Sequence, residues 1–399
     1  MAARTRLVEY ILLIVASLAS ASATVGYPDC SDPQCLPIAV HDAPGVGFDL
    51  TAGYGVSSVN VYDGPTRDLV KVEAAQEYKD LIVRLSSRPP ARPSYIGSLK
   101  RWWNKRCGRP STPDVGIISD LIAQLKNATE AELGISLDKI VLSHLRFPAL
   151  TAEDIGDAIE YAGLQSWLHT RNNGEWDPNQ LSENRAALAA HGINLCQEYG
   201  SWQVCVEGIS ANVSTLTVYY ASLTRSALYT SLDTYLQPFE FIPEHEPHFF
   251  DSALGLDNMP QFASEDAYWN SVRDKLVPPR NNVYNRPITH VIVGGEAAMM
   301  PEFRNALQEA LLNASSSSSV SQSGAVDAAT SNNNNADESS SSSPSPLYAA
   351  ARGAALLARW RQEARMHCFE MLGECNERRR REREKRNSAA TISGQKSDL

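Results

Sequence analysis

The sequence predicts an α/β fold, and three stretches carry that expectation. From His290 to Leu312, the β-branched run Val291-Ile292-Val293 has the pattern of a strand buried on both faces. Gly294-Gly295 then lets the backbone turn sharply and come close to whatever lies above the strand end. Pro301 suits the first turn of a helix, in which Phe303, Leu307, Ala310 and Leu311 share one apolar stripe. In open α/β sheets, ligands bind at such strand ends. The second stretch, Gly47 to Val56, reads as a strand carrying Asp49, a tight turn of small residues and a returning strand. The third begins as a buried strand at Ile140-Val141-Leu142 and runs through Arg146-Phe147-Pro148 into a helix.

A chain of 399 residues with 43% hydrophobic content holds one large two-lobed domain or two ordinary ones. A net charge of −10 argues against a general nucleic-acid binder, whose footprint is basic. Residues 1–23 read as a secretory signal: Arg4 and Arg6, an apolar run from Tyr10 to Ala19, and the small-x-small site Ala21-Ser22-Ala23. The alternative is an uncleaved anchor, although the run is short of the roughly 20 residues a span needs. After cleavage no transmembrane span is expected. Seven cysteines fit an oxidising compartment, and the simplest pairing is local: Cys30 with Cys35, Cys196 with Cys205 and Cys368 with Cys375, leaving Cys107. No doubled Cys-x-x-Cys marks a zinc site. Sequons at Asn127, Asn212 and Asn313 fit the same compartment, the endoplasmic reticulum lumen or the exterior.

In chain order, residues 24–44 form a polar tether. Val46 to Tyr62 is a hairpin closed by the turn signal Asp63-Gly64-Pro65, and Lys71 to Leu85 reads as a helix. Residues 86–114 read as irregular, with Trp102-Trp103 set among Lys100, Arg101, Lys105, Arg106 and Arg109. Aromatic and basic residues so interleaved can bind nucleic acid, but the acidic whole favours a surface loop whose tryptophans pack on the domain. Ile118, Leu121, Ile122 and Leu125 mark an amphipathic helix. Thr151 to Asp154 is a capping-box start for another, with Ile155, Ala158, Ile159 and Ala162 inward.

After a polar insertion at 165–181, Ser182 to Gly192 is an alanine-rich helix. Trp202–Val206 and Ser214–Tyr220 read as strands joined by Glu207 to Val213. Glu244-His245-Glu246-Pro247-His248 is an exposed polar loop, because Pro247 breaks the helix a His-Glu-x-x-His site requires. Residues 313–346 are a Ser/Asn-rich insertion too poor in apolar residues to order itself, and 362–399 form a charged tail. The chain has no Walker phosphate loop and no Gly-x-Ser-x-Gly elbow.

Gly47-Phe48-Asp49-Leu50-Thr51-Ala52-Gly53 and Val293-Gly294-Gly295 together resemble the nucleotide-binding domain of the seventy-kilodalton heat-shock chaperones, within the actin-like ATPase superfamily. The Ala162-Gly163-Leu164 helix end, the Ser182–Gly192 helix and the small-residue helix Leu347 to Ala355 fall in the order that family requires. The resemblance covers residues 45–361 and implies a two-lobed, ribonuclease-H-like fold with a central nucleotide cleft, the stretch 221–280 forming the tip of the second lobe.

It also implies ATP with Mg2+ as cofactors. Asp49 would position the metal, Thr51, Ala52 and Gly53 the phosphates, and Gly294, Gly295 and Glu296 the adenosine. Glu183 would order water near the phosphate, and Glu207-Gly208 stand where the family has its second phosphate loop. That loop is eroded, since Ile209, Ser210 and Ala211 occupy glycine positions where backbone N–H groups must close on phosphate. The expectation is a secretory-pathway, chaperone-like nucleotide-binding-domain protein with weak or no hydrolysis. Two alternatives stand beside it: an active ATPase or sugar kinase using Asp49, Glu183 and Glu207, and a structural partner protein that has lost nucleotide.

Overall fold

Two sheets are built on one plan. The computed structural model describes residues 35, 38–62, 64–90, 94–168, 179–195, 215–239, 248–279, 287–316, 344–363 and 372–394. In the first sheet β1 (Gly45–Leu50), β2 (Tyr54–Asn60) and β3 (Thr66–Glu73) form an antiparallel meander. β4 (Lys139–His144) runs parallel to β1 on its other side, with Asp49 opposite Ser143. Two short pieces, β5 (Gln165–Ser166) and β6 (Leu181–Ser182), share the far edge of β4. The second sheet repeats the arrangement: β7 (Leu216–Leu223), β8 (Leu228–Tyr235) and β9 (His248–Asp251) are antiparallel, and β10 (His290–Gly294) lies parallel to β7. Each half is therefore a three-strand meander, a helical crossover and a fourth strand returned beside the first.

β1 is buried along its whole length and alternates two kinds of residue. Val46, Phe48 and Leu50 face a core shared with α2 (Gln76–Ser86) and α4 (Pro113–Leu133). α4 forms where the apolar spacing places it: the Thr112 hydroxyl accepts from the Val115 N–H, Pro113 opens the first turn, and Gly134 ends the helix at φ 68°. Its Val115, Ile118, Leu121, Ile122 and Leu125 are buried, each contributing roughly 2 kcal/mol from area removed from water. Gly45, Gly47 and Asp49 occupy the alternate positions of β1. There α9 (Ala349–Glu363) approaches so closely that a Cβ on Gly47 would stand 2.1 Å from the Ala355 backbone nitrogen. α6 (Glu183–Ala190) packs on α9 in turn, with Gly353 against the Ala186 carbonyl.

α5 (Ala152–Tyr161) begins with the expected capping box, Thr151 and Asp154 satisfying each other's backbone N–H. On the second sheet, Tyr219, Ala221 and Leu223 pack under α7 (Glu265–Lys275) and α8 (Pro301–Ser316). Val218 and Tyr220, on the opposite side of β7, join the core of the first half. α1 (Ile38–His41) and α10 (Leu372–Gly394) are brought together from the two ends of the chain, with Arg383 paired to Asp42 at 2.5 Å.

Four expectations are corrected. Cys35 bonds Cys375 across 340 residues, which rules out its pairing with Cys30 and that of Cys375 with Cys368. Short-range pairing was the simplest arithmetic, but the packing of α1 near α10 decides the partner. Lys71–Glu73 belongs to β3, so the helix expected there starts only at Gln76. Residues 95–106 are a helix, α3 (Tyr95–Arg106), with no buried side chain. Residues 228–235 and 248–251 are the second and third strands of the second sheet rather than a lobe tip; β8 was masked by its polar Thr230, Ser231, Asp233 and Thr234, all buried.

Candidate functional site between the sheets

The site is assembled at the ends of β1 and β7, where the two hairpin turns meet. In the first turn the Thr51 hydroxyl accepts from the N–H groups of Gly53 (3.3 Å) and Tyr54 (3.2 Å) and donates to the Tyr54 carbonyl (2.9 Å). Thr224 does the same in the β7–β8 turn, accepting from Ser226 (3.2 Å) and Ala227 (3.1 Å) and donating to the Ala227 carbonyl. Threonine thereby closes both turns by side-chain bonding to its own backbone. The turns touch: a Cβ on Gly53 would stand 2.3 Å from the Ser226 Oγ.

Beneath them lie two buried carboxyls. Asp49, 2% exposed, accepts from Ser143 Oγ at 2.8 Å. Glu183 opens α6, also 2% exposed, and its Oε1 accepts from Tyr220 Oη at 2.7 Å, while Oε2 has no hydrogen-bond partner among the described residues. Burial and then the Glu183 charge hold the Asp49 carboxyl well above the usual range, against the pull of the Ser143 hydrogen bond. Burial pushes Glu183 up to about 7, against its hydrogen bonds from Tyr220 and Ser222.

Above the turns, Glu296 acts as a latch. Its carboxylate takes the Lys71 ammonium at 2.6 Å from β3 and the Arg225 N–H at 2.8 Å from the β7–β8 turn. Burial works against the Lys71 charge, but the hydrogen bonds that the ammonium donates to Glu296 and Glu73 outweigh it and raise the pKa. The same ammonium lies 4.6 Å above the Tyr54 ring. Gly294 and Gly295 let β10 close on β7: a Cβ on Gly294 would meet Tyr220 Oη at 2.1 Å. Gly295 takes φ 83° and lies against the Leu223 carbonyl. Lower down, the Asn184 amide bonds Ser231, Asp233 and Tyr235 of β8, and Arg146 reaches Asp233 at 3.3 Å.

Asp49, Thr51, Ala52, Gly53, Glu183, Gly294, Gly295 and Glu296 thus converge in one region, while Glu207 and Gly208 lie outside the described residues. Sequence reasoning missed Ser143, Tyr220, Ser226 and Lys71. Lys71 carries no motif; the register of β2 with β3 sets it opposite Val56, from where its ammonium reaches over the Tyr54 ring.

Most of the turn N–H groups are already bonded within the protein: those of Gly53 and Tyr54 to Thr51, those of Ser226 and Ala227 to Thr224, and that of Arg225 to Glu296. No protein-family model matches the chain, and no curated protein matches it.

Proposed function

We propose that the chain is a divergent relative of chaperone nucleotide-binding domains, with a two-lobed actin-like fold whose interlobe cleft is latched shut. It serves the secretory pathway as a binding or scaffold protein that holds nucleotide weakly or not at all and does not turn over ATP. Support for the fold comes from the duplicated meander-plus-parallel-strand plan and from α6 and α9 packed on each other. The observation that carries the functional reading is Glu296. An anionic ligand at this place would collect an ammonium and a backbone N–H. Glu296 collects both with its own carboxylate. Residence in the secretory pathway draws support from the Cys35–Cys375 disulfide and from the exposure of Asn127 and Asn313.

The test is calorimetric titration with ATP, with and without Mg2+, together with a single-turnover assay on purified protein. The expected result is little or no heat for the wild type, tighter binding in Glu296→Ala, and hydrolysis no faster than in an Asp49→Ala control. Hydrolysis well above that control would sink this reading. It would favour a second one, an active ATPase or sugar kinase on the same fold. The unpartnered, buried Oε2 of Glu183 speaks for that alternative, since buried charged groups without partners cluster at functional sites.

A further inference from the structure

α3 turns its apolar side outward. At about 100° per residue, Tyr95, Ile96, Leu99, Trp102 and Trp103 fall within one arc of roughly 120°. They are 96%, 81%, 64%, 48% and 61% exposed. The opposite side of the helix is the one that holds it to the protein. Arg101 pairs with Asp154 at 2.6 Å and Asp157 at 2.5 Å, and Lys105 with Asp157 at 2.7 Å and Glu160 at 2.6 Å. The Asn104 amide donates to the Ser111 carbonyl at 3.0 Å. Ser94 caps the N-terminus by accepting from the Gly97 N–H. A soluble helix buries its apolar stripe and exposes its charges. Here ion pairs to α5 fix the polar side, and the aromatic side is left uncovered among the described residues.

The charge of this stretch is equally distinctive. From Leu81 to Pro113 the chain has eight Lys and Arg residues and no Asp or Glu, in a protein of net charge −10. Arg101 and Lys105 are neutralised by α5, and Arg84 and Arg88 by Asp114. Lys100, Arg106 and Arg109 are exposed and have no ion pair among the described residues. Lys100 flanks the apolar arc, Arg106 stands within it, and Arg109 follows the helix end.

We propose that α3 is an interfacial helix that docks the protein onto an anionic lipid bilayer. Tyr95, Ile96, Leu99, Trp102 and Trp103 enter the boundary between headgroups and acyl chains, and Lys100, Arg106 and Arg109 lie at the level of the phosphates. Tryptophan and tyrosine favour that boundary, with an apolar body and a polar tip. Twelve residues give a helix of about 18 Å, suited to lying in the surface and too short to cross it. The acidic remainder is repelled by an anionic surface while the basic helix is drawn to it, so the charge asymmetry orients the molecule. Arg106 separates a bilayer from the other occupants. In a membrane surface it snorkels to the phosphates, whereas a protein partner would bury it, and an isologous second copy would bring two sets of basic residues into one interface with no acidic residue on α3 to meet them.

The test uses the full chain and sedimentable vesicles of phosphatidylcholine alone or with about a third phosphatidylserine, where surface potential is substantial. The expected result is co-sedimentation with the anionic vesicles, weakened by salt, with blue-shifted tryptophan emission quenched by brominated lipid. Trp102→Ala/Trp103→Ala and Lys100→Glu/Arg106→Glu replace residues of a helix with no buried side chain, so both should melt like the wild type. Each should lower partitioning roughly tenfold or more. No binding to anionic vesicles, or binding undiminished in both variants, overturns the proposal. So does self-association abolished by the tryptophan variant without any vesicle binding, which would assign the face to a second copy.

Discussion

Gly53 and Ser226 stand face to face across the junction of the two sheets, so close that a Cβ on Gly53 would meet the Ser226 Oγ at 2.3 Å and its Cβ at 3.0 Å. The glycine here serves close approach between two turns whose backbone donors are already used.

Gly53→Ala is therefore expected to push the turns apart. Overpacking of this kind typically costs about 1–3 kcal/mol. Because the obstacle is the Ser226 side chain, Gly53→Ala/Ser226→Gly should recover much of that loss. Urea denaturation of the four members of the cycle measures the coupling. Additive losses would mean that the turns do not touch in solution.

The Cys35–Cys375 bridge ties the segment before β1 to the helix after α9, alongside the Arg383–Asp42 pair. A loop of this length restricts the unfolded chain strongly, and removing such a bridge typically costs about 2–5 kcal/mol. Non-reducing peptide mapping should recover a peptide joining Cys35 to Cys375. Cys35→Ser should lower the melting temperature of the oxidised protein and leave the reduced protein unchanged. A Cys30–Cys35 peptide in the map would contradict the structure.

Elements with a local signature were legible in the sequence. The apolar spacing from Ile118 to Leu125, the Thr151–Asp154 cap and the β-branched run before Gly294-Gly295 each state their structure within a few residues. The site was legible only on one side. Both turns close through a threonine hydroxyl, but only the first announced itself, through Gly53 and Gly55; its counterpart, Leu223-Thr224-Arg225-Ser226-Ala227, contains no glycine. β8 was hidden because its polar residues are buried, Ser231 and Asp233 being satisfied by Asn184, a partner distant in sequence. α3 carries helical spacing at Tyr95, Ile96, Leu99, Trp102 and Trp103, but Pro89-Pro90, Pro93 and the interleaved basic residues give the stretch the look of a loop.

Glu183 gives the protein a specific dependence on pH. Its folded pKa is raised by burial to about 7 from an ordinary value of 4.5, and Asp49 beside it is raised too. Between those limits the folded state keeps a proton that the unfolded chain has released, so stability falls as pH rises from about 4.5 through 7. For Glu183 alone the loss is on the order of 3 kcal/mol, at about 1.4 kcal/mol per pKa unit. Asp42 and Asp157 are held below their usual values, so their contribution is lost only at lower pH and is flat across this window. His191 and His290, lowered by burial, act in the opposite direction below about 6.5 and blunt the trend. Glu183→Gln separates these effects, because the amide oxygen still accepts from Tyr220 but cannot ionise. At pH 8 the variant should be more stable than the wild type, and at pH 5 the two should converge. Melting temperatures at half-unit pH steps measure the difference directly. A difference that does not change between pH 5 and pH 8 would mean that Glu183 does not exchange its proton on folding.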